Sequence, residues 1–273
     1  MKKVITLLFL MPLAACGPNK NPTLIHSGTD DASIVGGQVV DKEIFAKHVV
    51  AIYNSKEGVL CTGTLIANNL VLTAAHCANT GVPSEYAIFF TKNPKVNQSL
   101  VRHVTNIRVH AYNPKSYADR KDLAILRFDG YPPAGFEPMP LPTEQDLADA
   151  GRTFYATGYG TVTGRKDITE RQGGTLRYTQ VTINEPEITT ATSQFSVSQQ
   201  NGHGICFGDS GGPAFAKIDD RRVVMGVASA VYSLDQEARK KPDFDICRYQ
   251  AIYISTYFHL PWIQKTAAEL AVY

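Results

Sequence analysis

From residue 34 onward the apolar positions fall in short runs. Those at 49–53, 63–66, 70–73, 86–90 and 124–128 are rich in Val, Ile, Leu, Phe and Tyr. Asn-Asn, Gly-Val-Pro and Asn-Pro turn signals separate them, so each run reads as a strand. Many short strands at close spacing predict an all-β sandwich or barrel. A proline-rich stretch then runs from Tyr131-Pro132-Pro133 through Pro138, Pro140 and Pro142. Proline cannot donate to a ladder, so this stretch is excluded from a central strand and reads as a crossover between two β-domains. Strand signals resume at 153–156, 176–183, 222–227 and 251–254. The tail at 260–270 reads as a helix, with Pro261 early, where a missing N–H costs little. The expected order is a first β-domain over about 34–130, a crossover at 131–150, a second β-domain over about 151–257 and a helix over about 258–271.

The first 33 residues have a different pattern. Lys2 and Lys3 form a basic start, 4–13 an apolar segment, and Leu13-Ala14-Ala15-Cys16 closes it. That is the layout of an export signal over residues 1–15, with 16–33 as a propeptide and linker. A small-residue site ending on cysteine resembles the bacterial lipobox, in which the thiol accepts diacylglycerol; Cys16 is then the lipidation site. A plain secretory signal with Cys16 near the cut is the alternative. Gly17 after the cysteine favours the outer membrane under the enteric sorting rule. The expected location is therefore the bacterial cell envelope, facing the periplasm or the surface, with the mature domain open to release.

Composition narrows the classes. At 273 residues the chain can bury a large core, and 44% hydrophobic with 19% charged residues is ordinary for a globular protein. A formal charge of +2 gives no argument for a nucleic-acid partner. There is no internal repeat, and after the N-terminus no apolar run long enough to span a bilayer. Five cysteines leave one unpaired, and lipid on Cys16 would leave four to pair. An oxidising compartment permits disulfides, whereas a thiol metal site lacks any Cys-x-x-Cys spacing. No glycine-rich phosphate loop or dinucleotide fingerprint appears, so no cofactor and no metal is expected.

Three motifs carry chemistry. The run Gly208-Asp209-Ser210-Gly211-Gly212-Pro213 suits a tight turn that exposes one hydroxyl and aims backbone N–H groups at one point. Thr73-Ala74-Ala75-His76-Cys77 and Asp122-Leu123-Ala124-Ile125-Leu126 each place one polar side chain in an apolar context. A serine hydroxyl needs a base to take its proton, an imidazole titrates in the right range, and a carboxylate can fix its tautomer. The order His, Asp, Ser along the chain differs from that of subtilisins and α/β-hydrolases. On these motifs residues 34 to about 265 resemble the chymotrypsin/trypsin-like serine protease family.

The resemblance implies two packed six-stranded antiparallel β-barrels with a C-terminal helix and the site in the cleft between them. It implies Ser210 as nucleophile, His76 as base and Asp122 as its orienting partner, with the N–H groups of Gly208 and Ser210 as oxyanion hole. Cys61 would bridge to Cys77 and Cys206 to Cys247. Ile34-Val35-Gly36-Gly37 resembles the family's mature N-terminus, so cleavage after Ser33 would give an Ile34 ammonium that inserts beside Asp209. Most relatives are cut after Arg or Lys; Thr29-Asp30-Asp31-Ala32-Ser33 offers neither, which points to an activating protease that accepts small residues, or to the enzyme itself. Gly204 would sit at the pocket floor, where trypsin-like members carry aspartate. The pocket walls would come from Ser229, Ala230, Val231 and Ala251. Bulk at Val231 and Ala251 narrows the slot as in elastase-like members and implies small aliphatic P1 residues (the residue on the acyl side of the cut), unless Asp243 or Asp245 reaches in. The backbone of 229–231 would pair with a polypeptide substrate as an added strand. The family's calcium loop needs carboxylates, and 87–118 contains no Asp or Glu. The function implied is an exported serine endopeptidase. The alternative is a catalytically silent homologue that acts as a binding or adaptor protein. An esterase lacks its Gly-x-Ser-x-Gly elbow here.

Overall fold

The computed structural model describes residues 34–40, 43–116, 120–143, 146, 153–168, 172–183, 193–218 and 221–271. The leader, Cys16 and Ser33 lie outside them. The described chain starts with strand β1 (Gln38–Val39) and one helical turn, α1 (Glu43–Ala46). Six strands follow: β2 (Val49–Asn54), β3 (Val59–Ala67), β4 (Leu70–Thr73), β5 (Tyr86–Phe89), β6 (Val101–Val109) and β7 (Ala124–Phe128). They close on themselves as an antiparallel barrel in the order β2-β3-β4-β7-β6-β5. Apolar residues such as Leu65, Leu72, Ile88 and Leu126 are completely buried inside it.

The second half contributes β8 (Thr153–Gly158), β9 (Arg177–Thr182), β10 (Gln194–Ser198), β11 (Pro213–Ile218), β12 (Arg221–Tyr232) and β13 (Gln250–Ser255). With β1 they form one sheet of seven strands, ordered β1-β9-β8-β11-β12-β13-β10. Where the resemblance implies six strands, β1 adds a seventh by pairing with the edge of β9. Phe154, Phe195 and Tyr253 form the centre of this half, with Phe195 and Tyr253 stacked at 5.3 Å. A third cluster joins Val49 and Ala51 of the barrel, Met139 of the proline-rich crossover, and Tyr159, Phe215 and Val224. This apolar seam holds the two halves together. Helix α2 (Leu260–Ala271) turns Ile263 and Leu270 onto the first barrel's core. Among the described residues no helix is long and apolar enough to cross a membrane.

The strands that sequence reading left out have weak local signals. β6 alternates with polar residues and buries only Val104 fully. β10, Gln-Phe-Ser-Val-Ser, is too polar to stand out. β11 opens on proline and holds two alanines, both poor strand formers, yet it lies between β8 and β12. Tertiary pairing, not propensity, makes it a strand. Replacing Phe154, in van der Waals contact with Phe195 and Tyr253, by alanine is expected to cost about 3–5 kcal/mol of stability. Urea unfolding of the Phe154→Ala chain measures it.

Candidate active site

Strand register brings His76 and Asp122 together. In the β4–β7 ladder Thr73 pairs with Ala124, so the chain leaving β4 and the chain entering β7 meet at one end of the barrel. His76 lies three residues beyond, in a short 3-10 turn (Ala75–Ala78). Asp122 precedes β7 in a tight turn, with Lys121 at φ 45° and the Leu123 N–H donating to Lys121 O at 2.8 Å. The carboxylate of Asp122 accepts from the backbone N–H of His76 at 3.0 Å and contacts its ring Nδ1 at 2.8 Å. One carboxylate thus fixes both the main chain and the ring of His76.

Ser229 of β12 completes that arrangement. The β12–β13 register shifts between Ala228 and Ala230, a bulge that turns Ser229 out of the ladder's regular alternation. Its hydroxyl donates to Asp122 Oδ2 at 2.6 Å. Burial pushes the Asp122 carboxyl up, but hydrogen bonds and charge from His76, with the Ser229 hydroxyl, outweigh it and hold it below the usual carboxylate range. Asp122 is therefore an anion at neutral pH, able to stabilise an imidazolium. The sequence points to Ser229 as a residue of the pocket wall and of the strand that pairs with substrate; the structure adds this contact with Asp122.

Ser210 reaches the same place from the second half. β11 pairs with β12 from Pro213↔Val227, and Gly211 N–H donates to Ala228 O at 2.8 Å. The turn ahead of β11 is therefore pinned beside Ser229. Gly208 adopts φ 97°, a conformation that L side chains rarely take. The N–H groups of Asp209, Gly211 and Gly212 bond to the carbonyls of Cys206, Ala228 and Asp209. Those of Gly208 and Ser210 have no acceptor among the described residues. Two uncommitted donors flanking one hydroxyl make an anion-binding concavity.

His76 and Ser210 line one pocket of about 220 Å³, together with Ile205, Cys206, Phe207, Ser229, Ala230 and Val231. Their side chains are not hydrogen-bonded to each other in this structure; unliganded sites hold that bond long and tighten it on binding. A larger groove of about 680 Å³, near Phe45, Tyr155 and Tyr178, holds none of these groups. The expected floor residue, Gly204, and one expected wall residue, Ala251, are placed elsewhere. Gly204 bridges to Val35 and Ala251 is buried in the second core, and neither lines the pocket. Asp245 does not reach in: its carboxylate accepts from Thr163 Oγ1 and Gly164 N–H, both at 2.7 Å, and from Cys247 N–H at 3.0 Å. Asp243 borders a separate groove.

Bridges join Cys61 to Cys77 and Cys206 to Cys247. The first explains why Cys61, His76 and Cys77 crowd within 4.8 Å: the sulfurs are bonded to each other, which leaves His76 as the one metal-capable donor of that trio.

Asp209 is fully buried, and Gly160 N–H and Cys206 N–H donate to its two oxygens at 2.7 and 2.8 Å. A Cβ on Gly160 would lie 2.4 Å from this carboxylate, so glycine there makes its room. Burial pushes the carboxyl up to about 7, against the smaller opposing effect of the two N–H donors. Ile34 is fully buried at φ 65°, an unfavourable conformation for a β-branched residue.

Thr62 went unnoticed in the sequence, where it is one threonine after a cysteine. Its hydroxyl donates to Gly208 O at 2.8 Å and accepts the Tyr159 N–H at 3.1 Å, while its own N–H donates to Ser210 O at 2.9 Å. It joins strand β3 of the barrel to the serine turn. Thr62→Val keeps the shape and leaves Gly208 O and Tyr159 N–H unpaired in a dry place, a loss of about 1–3 kcal/mol. Thermal melting should show that loss in Thr62→Val and most of it recovered in Thr62→Ser.

The family described as Trypsin matches residues 34–252. Chymotrypsin-like elastase family member 1 of Bos taurus is 26% identical over 264 residues, covering 89% of this chain and 94% of that protein. Tryptase of Mus musculus is 26% identical over 282 residues, with 95% of each chain covered. Cathepsin G of Mus musculus is 23% identical over 252 residues, covering 91% and 90%. With the barrel, the Ser210 turn and the His76–Asp122 pair in place, the chain belongs to the trypsin family of chymotrypsin-like serine proteases.

Proposed function

We propose that this chain is a serine endopeptidase that acts through Ser210, His76 and Asp122. The observation that carries this reading is the buried Asp122 carboxylate holding the His76 ring over the pocket that Ser210 shares. His76 takes the Ser210 proton as Oγ attacks the scissile carbonyl, and the resulting oxyanion is met by the N–H groups of Gly208 and Ser210. Each such donor contributes about 2.7–4 kcal/mol to transition-state stability. Collapse expels the amine, protonated by His76, and water repeats the sequence on the acyl-enzyme.

The same reading extends to specificity and activation. Apart from His76, no ionisable side chain lines the pocket, so a P1 arginine or lysine finds no counter-charge. Val231 and Ile205 keep the pocket small, which favours P1 alanine or valine. Cleavage after Ser33 frees the Ile34 ammonium, which neutralises the buried Asp209 and removes the φ constraint at Ile34. Lipid on Cys16 holds the uncut chain at the outer membrane, and the cut releases the domain. Residues 1–33, which carry these last two steps, lie outside the described structure.

Incubating the processed chain with a fluorophosphonate probe and a P1 peptide library tests the reading. Labelling should map to Ser210, and Ser210→Ala or His76→Ala should lower kcat by about 10⁶-fold. A processed wild-type chain that neither labels nor cleaves would instead support a silent binding homologue. Activation has its own signature in pH. The uncut chain holds an extra proton on Asp209 relative to the unfolded chain between about pH 4 and 7, so its stability falls as pH rises through that window. Melting temperatures of an uncut Ser210→Ala chain should show this fall, Asp209→Asn should flatten it, and the chain cut before Ile34 should lack it.

A further inference from the structure

Gln199 is a polar side chain buried without any charge to neutralise. It follows β10, is completely buried, and uses its carboxamide on three backbone groups. Ile205 N–H donates to Oε1 at 2.7 Å, and Nε2 donates to Ile205 O at 3.0 Å and to Cys247 O at 2.7 Å. One acceptor faces an N–H and two donors face carbonyls, so the pattern fixes which way the amide points. Ile205 and Cys206 line the pocket, and Cys206 is bridged to Cys247. The amide therefore ties together the two segments that the disulfide also joins.

The space it fills belongs to another residue. A Cβ built on Gly204 would lie 2.1 Å from both Cδ and Oε1 of Gln199. Any side chain at 204 and the Gln199 carboxamide exclude each other. We propose that Gln199 sets the depth of the P1 pocket, its carboxamide standing where the side chain of residue 204 would otherwise project. Gly204 is then a consequence of Gln199, and Ile205 rather than residue 204 lines the pocket because the amide, bonded to the Ile205 backbone, fills the volume behind it. This deepens the endopeptidase reading and rests on it.

The first arm measures selectivity. In processed chains that label with the fluorophosphonate, Gln199→Ala should raise the ratio of kcat/KM for P1 Leu or Met over P1 Ala by about tenfold. Gln199→Met, which refills the volume without the hydrogen bonds, should keep the wild-type ratio; a purely structural brace predicts the same ratio in all three chains. Where Gln199→Ala fails to fold, Gln199→Asn lowers the floor by one methylene and should shift preference in the same direction. Labelled variants with an unchanged P1 profile would overturn the proposal, as would a wild type that prefers large P1 residues. The second arm needs no activity. Gly204→Ser should lower the melting temperature in the wild-type background and much less with Gln199→Ala, whereas equal losses in both would overturn the shared-volume claim. If the wild type never labels while the melting data couple, the endopeptidase reading fails and the geometry stands.

Discussion

The hydroxyl of Thr62 sits where two separately built halves have to agree to a fraction of an ångström. It accepts from Tyr159 N–H on one side and donates to Gly208 O on the other, while its own main chain holds Ser210 O. His76 and Asp122 belong to the first barrel, and Ser210 and Ser229 to the second sheet. The apolar seam around Tyr159, Phe215 and Met139 supplies adhesion without direction. Hydrogen bonds supply the direction. Thr73 Oγ1 in turn donates to Thr62 O, which links this junction to the strand that leads to His76. Ser229 crosses the other way, from the second sheet onto Asp122. The geometry of the candidate site is fixed by these few directional contacts laid over a non-directional interface.

Against that order stands the buried Asp209. Its carboxylate is given room by glycine and two backbone donors, but burial still outweighs them. Ile34 holds a left-handed conformation that costs about 1–3 kcal/mol. These are two local expenses, one electrostatic and one torsional. The ammonium proposed at Ile34 would relieve both.

The fold and the meeting of His76 with Asp122 were legible because their signals are local. Strands such as 49–53 and 124–128 have dense apolar runs, and the His76, Asp122 and Ser210 motifs each put one polar group in a distinctive setting. β11 was illegible because alanine and proline form strands only when neighbours supply the ladder. The crowding at Gly204 was illegible for a related reason. Gly204 reads as an absence of side chain, and only the fold shows that Gln199, five positions earlier in sequence, fills the gap. Thr62 and Ser229 act across long separations, so nothing near them in sequence announces their partners.

Segment 34–40 is already woven into the second half while the chain is intact: β1 lies against β9, and Val35 bridges to Gly204. Under the activation proposed above, the end severed at Ile34 would stay tethered to this sheet rather than diffuse away. Such tethering would give it a high effective concentration, so much of the entropic cost of the proposed capture would be met before any bond is cut. Seating should accordingly be unimolecular and insensitive to dilution.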